Sequence, residues 1–513
     1  MHIQKIYSKI KFLLFIPLLI YFGRRSLIAF DEGFYALQAR WIIEKSNWIG
    51  PLWWDQVSSD RTIGIQFLLA LSKKFLGDSM FVIYIPILCS AILMLFCTYQ
   101  IHKDLLDDRY PIYSTLILST TFLWINYSQM ATQDMIFASL VTLGIMSSIK
   151  AKQNNFKVNL LLSGIWIGLS FMMKTFLTAI PLLAISPFLI RSKIICRKYF
   201  WIGIVLGFLP FILWSYKYIL IYSFDTYIGL FEKLIRLSKN NTFTQPPYFY
   251  LWNLSINIFP WTLLSILGLF NTFKMSNISR YFLFLYPLFI MFLLSIFSTK
   301  TPYYPIQILS LVSINSFIGI KYLIENKNKL SRFIEKFNYI FFAILLSISL
   351  IVINFTNFVT LDIREKCFIT IGGGAFSIIW IGYNFVRNKN RKLIFSILGP
   401  YFLTICLVQS GLITDKSKDL RIAIDNLVKT EALGNKPVEI VKSEISNDES
   451  FSKIIKIMIQ MPKLGEGINK IDDLKNDQYL WTTSNIEKNN INLDYEIIRE
   501  NKVFYPWKLI KRR

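Results

Sequence analysis

Two adjacent carboxylates, Asp31 and Glu32, stand at the outer end of the first apolar run, in Asp31-Glu32-Gly33-Phe34-Tyr35, with Arg40 and Trp41 just beyond. Such a pair is either an ordinary solvated junction between helix and loop, or a general base or metal-binding group at a membrane surface. Aromatic neighbours exclude water and raise a carboxyl pKa, which favours the second reading. Further charges stand at the ends of other apolar runs: Asp134 after Ser128-Gln129-Met130-Ala131-Thr132-Gln133, Lys174 after Phe171-Met172-Met173, and Lys300 in Ser298-Thr299-Lys300-Thr301-Pro302-Tyr303-Tyr304-Pro305. A single lysine at a helix end is ordinarily a snorkelling anchor. Lys174 and Lys300, however, are each the sole basic residue of a very short outer loop, where the positive-inside bias works against them.

These groups suit displacement at a sugar carbon bonded to phosphate. A sugar on a polyprenyl phosphate already carries a good leaving group, so it needs positive charge near the phosphate oxygens more than a strong general acid. Lys174, Lys300, Arg61 or Arg40 could supply that charge. The acceptor hydroxyl needs a base, for which Asp31 is the candidate, and attack opposite the phosphate inverts the anomeric centre. The only histidines, His2 and His102, fall on the cytoplasmic side of the topology set out below. That excludes a Ser-His-Asp hydrolase and a histidine-based zinc site at the outer face.

The elements that must position these residues are membrane helices. Of 513 residues 54% are apolar and 16% aromatic, and the 17% that are charged cluster between apolar runs, the composition of a polytopic membrane protein. About thirteen runs approach the length that crosses the hydrocarbon layer: 8–28, 80–101, 111–127, 135–149, 158–173, 175–190, 200–222, 250–271, 281–298, 304–323, 337–358, 368–386 and 393–412. With the N-terminus inside, Lys5, Lys9 and Lys11, then Lys150, Lys152 and Lys157, then Arg191, Lys193, Arg197 and Lys198 all face the cytoplasm, as do the later clusters around Arg332 and Arg391. A crossing at Thr62–Leu76 would strand those clusters outside, so that segment reads as a short helix on the outer surface. Long outer loops then span 30–79 and 223–249.

After Leu412 the chain becomes charged and rich in Asn and Lys. Alternation at Val438–Val441 and helical spacing at Ser452–Met461 indicate a small α/β domain over 413–513, placed outside by the topology. The net charge of +24 reflects cytoplasmic loops and not a nucleic-acid surface, since no basic stripe lies on a soluble module. The five cysteines lie in or beside apolar runs without metal-ligand spacing or a disulfide framework.

The order of a short first helix, Asp31-Glu32 at its outer end, Tyr35 and Arg40, an aspartate after the third span, Lys174 after the fifth and the Ser298–Pro305 segment resembles the GT-C glycosyltransferases. Within them it is most similar to the branch of protein O-mannosyltransferases and the lipid A aminoarabinose transferase. The resemblance covers 8–412, and the span count and outer C-terminal domain fit the lipid A enzyme. It implies that Asp31 is the essential carboxylate with Glu32 beside it, that Asp134 is a second functional aspartate, and that Lys174 lies near the donor phosphate. It further implies that Lys300 is the lysine before the proline-tyrosine segment, that Tyr35, Tyr303 and Tyr304 line the substrate cavity, and that the loop through Pro246-Pro247-Tyr248 covers it. Where many members have a lysine followed by two prolines, this chain has Asp60-Arg61-Thr62-Ile63-Gly64, so Arg61 stands in the lysine's place, and Phe34 replaces a residue often polar or basic.

The expectation is therefore a mainly α, polytopic GT-C-type bundle over 1–412 with a small extracytoplasmic α/β domain over 413–513. It sits in the bacterial plasma membrane and moves a sugar from a polyprenyl-phosphate donor to a lipid, glycan or protein acceptor. Neither an organic cofactor nor nucleic acid is expected, and metal use is left open. The competing class is a transporter or flippase of a lipid-linked sugar, which would place ionisable groups near mid-membrane in both halves. A polymerase or ligase of envelope glycans on another fold would not need Asp31.

Overall fold

The computed structural model describes residues 13–21, 25–54, 56–58, 61–106, 110–154, 156–238, 244–326, 328–356, 361–430, 433, 436–445, 449–484, 495–500 and 502–513. Residues 1–12, which hold Lys5, Lys9 and Lys11 and the expected start of the first span, lie outside the described part, as do Asp60 and the Asp31 side chain. Two compact units emerge: one made of 1–22, 86–129 and 133–414, the other of 23–85, 130–132 and 415–513.

Among the described residues, nine helical tracts are long and apolar enough to cross a membrane: Met80–Leu106, Gln133–Asn154, Lys157–Arg191, Lys198–Tyr222, Asn277–Ile296, Tyr304–Glu325, Lys329–Phe355, Ile363–Tyr383 and Lys389–Ser410. The remaining expected spans take other forms. Run 250–271 becomes Phe249–Asn257 and Thr262–Thr272, bent by 113° around Pro260, which has no N–H to continue a helix. Run 111–127 divides into Pro111–Ser119 and Phe122–Ser128. Between them the hydroxyls of Thr120 and Thr121 turn back onto the carbonyls of Ile117 and Leu118, offering the chain end an alternative to helical pairing. The expected pair 158–173 and 175–190 lies in one tract of 35 residues made of helices Lys157–Lys174 and Ala179–Arg191 with the short tight turn Thr175–Thr178 between them. It breaks at Thr175, whose φ is 42°.

Within the membrane unit, Gln133–Asn154 and Tyr304–Glu325 are the inner helices. Their apolar windows are 83% and 89% buried, against 22% for Lys198–Tyr222. They tolerate Ser and Thr because the hydroxyls donate to carbonyls one turn back, Thr142 to Ala138 and Ser316 to Val312 among them, while Thr98 donates across to the Ser310 hydroxyl at 2.8 Å. Gly164 and Gly168 on helix Lys157–Lys174 face Gly203 and Gly207 on helix Lys198–Tyr222. A Cβ at Gly168 would lie 2.1 Å from the Gly207 carbonyl carbon, so only glycine permits this approach, and dispersion between bare backbones holds the pair where lipid offers no hydrophobic drive. The last long helix is capped at its start by the Asn388 side chain and ends on Gly411 in the left-handed region, the usual glycine stop.

The second unit contains helices Phe34–Glu44 and Gly64–Leu76, joined by a Gln66–Gln38 side-chain bond of 2.9 Å. At 13 residues the latter spans about 20 Å, too little to cross the hydrocarbon. A short hairpin pairs β1 (Leu52–Trp53) with β2 (Gln56–Val57). The C-terminal strands β3 (Pro437–Ile440), β4 (Lys463–Leu464), β5 (Tyr479–Thr482), β6 (Tyr495–Arg499) and β7 (Lys508–Arg512) form a sheet ordered β4-β3-β5-β7-β6. β3 runs parallel to β4 and β5, while β7 runs antiparallel to β5 and β6. Helix Glu449–Met458 makes the β3-to-β4 crossover that parallel strands require. Val441, Ile471, Leu474, Leu480 and Ile510 fill the core on one side.

Candidate active site

The sequence-selected residues fall into two groups, one in each unit. Asp134, Lys174, Lys300, Tyr303 and Tyr304 belong to the membrane unit; Asp31, Glu32, Tyr35, Arg40 and Arg61 belong to the other.

In the membrane unit, Asp134 lies in the first turn of its helix and Lys174 is the last residue of its own. Each charge therefore complements its helix dipole. They form a salt bridge although 40 positions separate them. Both are buried, at 6% and 8% exposure, and the Lys174 ammonium sits 4.8 Å from the Tyr303 ring centre and 5.4 Å from that of Tyr304. A cation held between a carboxylate and two aromatic faces keeps its charge away from water. Tyr127 packs against Tyr303 at 5.2 Å. Lys300 has different partners: its ammonium donates to the carbonyls of Gln245 (3.0 Å) and Phe297, next to the bridge that pairs Thr244 with Thr299. The expected 223–249 loop is helical over Phe224–Ser238, and Lys300 ties the segment that follows this helix to the 297–300 segment. Burial pushes the Lys300 ammonium below the ordinary lysine range.

In the second unit, residues 29–33 wind as one wide helical turn. Glu32, 2% exposed, accepts the Ile28 N–H at 2.9 Å and the Ala131 N–H at 2.7 Å, one on each carboxylate oxygen. Burial pushes its pKa up to about 7, against the pull of those amides and of Lys416 and Arg25. Arg61 donates to the Tyr35 hydroxyl, and its guanidinium carbon lies 5.1 Å from the ring centre. Its Nε is buried with no partner among the described residues, an N–H that an anion would satisfy. Arg40 is fully engaged elsewhere: Nε on Glu44 at 2.7 Å, and the remaining nitrogens on the carbonyls of Ile459 (3.1 Å), Met461 and Pro462 (2.7 Å).

Sequence reasoning passed over Arg25, whose guanidinium lies 5.0 Å from the Tyr84 ring centre, and Lys416. Arg25 was findable, because an ionisable residue inside an expected span is a functional signal in itself. Lys416 comes close to Glu32 only through folding. Among the described residues no three His, Cys, Asp or Glu side chains gather where they could hold a metal.

Residues 60–216 match the family model of dolichyl-phosphate-mannose-protein mannosyltransferases, a stretch that takes in Arg61, Asp134 and Lys174. No curated protein matches the chain in sequence. Among solved structures the chain is similar to ArnT from Cupriavidus metallidurans bound to undecaprenyl phosphate, with a TM-score of 0.78 at 11% identity over 99% of this chain and 97% of that one. It is also similar to ArnT from the same organism in the apo state, with a TM-score of 0.74 at 10% identity and the same coverage. The chain has the fold of these proteins from end to end.

Proposed function

We propose that this chain, a multi-pass membrane protein with the GT-C glycosyltransferase fold, transfers a sugar from a polyprenyl-phosphate donor to an acceptor hydroxyl. The observation that carries this reading is the full-length likeness to a structure that holds undecaprenyl phosphate. The buried Lys174 and the half-buried Arg61 fall within the stretch that matches the model of dolichyl-phosphate-mannose-protein mannosyltransferases.

Asp31 takes the proton of the acceptor hydroxyl as that oxygen attacks the anomeric carbon, and the configuration inverts. The carbon-oxygen bond to the phosphate breaks with the electron pair passing to the phosphate, whose growing charge is met by Lys174. Asp134 holds Lys174 in place until the phosphate competes for it. Tyr303 and Tyr304, packed against Lys174, wall the donor, and Lys300 holds the segment that leads into residue 249. Arg40 acts as a brace for the C-terminal segment and not as a phosphate ligand. The transferred group is a hexose or pentose, and the acceptor is an envelope lipid, glycan or protein at the outer face of a bacterial plasma membrane. The C-terminal 413–513 segment faces the same side, where it either recognises acceptor or caps that face.

The test is a panel of radiolabelled undecaprenyl-phosphate sugars supplied to membranes from cells expressing the chain. Label moving into lipid, glycan or protein supports the reading and names both sugar and acceptor. Export or flipping of intact donor without transfer would replace it with a transporter.

A further inference from the structure

We propose that ionised Glu32 is a positioning residue whose carboxylate staples the turn carrying Asp31 to the 130–132 segment, and that protonation of Glu32 releases the staple. The proposal rests on the reading of Asp31 as base; the geometry of Glu32 itself does not.

Three observations separate Glu32 from a group that meets substrate. Each oxygen is engaged by a backbone amide, Ile28 at 2.9 Å and Ala131 at 2.7 Å, and the residue is 2% exposed, so an acceptor hydroxyl has no approach to it. The two amides lie about a hundred positions apart in sequence, so this one side chain closes a long loop. The turn is also wedged on its other side: a Cβ at Gly33 would lie 2.8 Å from Ile455 Cγ2, which leaves the turn little room to drift.

The ionised form suits this task. A carboxylate only accepts and can hold two N–H donors, whereas the neutral acid turns one oxygen into a donor and confronts one amide with it. The charged and titratable groups facing Glu32 are Arg25, on the segment before the turn and stacked on Tyr84; Tyr84 itself, which Asp415 also faces; Lys416, on the segment after the last membrane helix; and Lys456 from helix Glu449–Met458. Asp415 is held by Arg421, at 2.9 and 3.3 Å. Lys456 donates to the Ser417 hydroxyl, and the Ser417 N–H donates to the Ser26 hydroxyl, each at 2.7 Å. Cations thus surround Glu32, while burial brings its titration to the neighbourhood of neutrality.

The test combines hydrogen exchange with transfer, using purified full-length chain and its Glu32→Gln and Glu32→Asp variants. In the native chain, protection factors of the Ile28 and Ala131 amides should be high at pH 8 and fall as the pH drops through about 7. In Glu32→Gln they should be at least about tenfold lower at pH 8 and insensitive to pH, since the amide turns a donor toward one N–H. Transfer from the radiolabelled undecaprenyl-phosphate sugar that labels acceptor with native chain should lose its acid limb near pH 7 in Glu32→Gln, with kcat about tenfold lower and donor KM unchanged. Glu32→Asp, which keeps the charge but shortens the reach, should keep the limb at reduced kcat. Native protection of both amides in Glu32→Gln, or a native acid limb in its transfer, overturns the proposal. If the native chain transfers no sugar at all, the functional reading fails, while the exchange result still decides the staple.

Discussion

Removing the Lys174 ammonium while leaving Asp134 in place is the sharpest perturbation the membrane unit offers. Lys174→Met fills a similar volume but abandons a carboxylate that is 6% exposed and has Lys174 as its salt-bridge partner. Breaking a buried pair from one side typically costs about 3–5 kcal/mol, because the surviving charge has lost both water and partner. Asp134→Asn should cost less, since the stranded ammonium still faces the Tyr303 and Tyr304 rings, each worth about 0.5–2 kcal/mol to a desolvated cation. The double variant Asp134→Asn with Lys174→Met removes both charges and should stand within about 1–2 kcal/mol of native. The two single losses therefore overshoot the double by about 2 kcal/mol or more. Reversible unfolding in mixed micelles at increasing dodecyl sulfate fraction measures all three variants. Additivity within about 0.5 kcal/mol would refute the pairing and, with it, the role assigned to Asp134 as keeper of the donor-side lysine.

Gly168→Leu should break the contact between Lys157–Lys174 and Lys198–Tyr222, because a Cβ there meets backbone at 2.1 Å; a loss of about 3 kcal/mol or more should appear as polydispersity in gel filtration and early unfolding. Arg40→Lys should lower stability by about 1–3 kcal/mol through lost carbonyl bonds while the KM for donor stays native; a raised KM would return Arg40 to the phosphate. Glu439, 7% exposed and accepting the Gly467 N–H, has its pKa raised by burial. The folded chain therefore keeps a proton that the unfolded chain releases above about pH 4.3. That stabilisation is fully present in acid and is lost as pH rises through the folded value. Glu439→Gln should flatten this slope in unfolding measured across pH 4 to 8.

Much of the framework was legible because lipid solvent demands long apolar helices and leaves little else to choose. The strand at 437–440 and the helix at 449–458 likewise follow from alternation and helical spacing. Where the reading of spans differed, the cause was local: Thr120-Thr121 and Pro260 interrupt runs whose hydropathy is continuous. The site was less legible because its contacts are non-local. Lys174 and Asp134 were each singled out, but nothing in a separation of 40 residues announces a pair. The bonds from Arg40 to the carbonyls of Met461 and Pro462 were not legible, because those partners come about 420 positions later. Glu32 was chosen for its carboxylate, whereas one of the two amides that hold it belongs to Ala131, a residue with no side-chain chemistry of its own.

Purified native chain and Asp31→Asn in proteoliposomes, given a radiolabelled undecaprenyl-phosphate sugar and acceptor membranes, decide whether Asp31 is the base, with binding of unlabelled undecaprenyl phosphate measured in parallel. The native chain should transfer sugar, the variant should lose about 100-fold or more, in the range for a positioned general base, and the variant should retain undecaprenyl phosphate binding. Native-level transfer by Asp31→Asn would contradict Asp31 as the base.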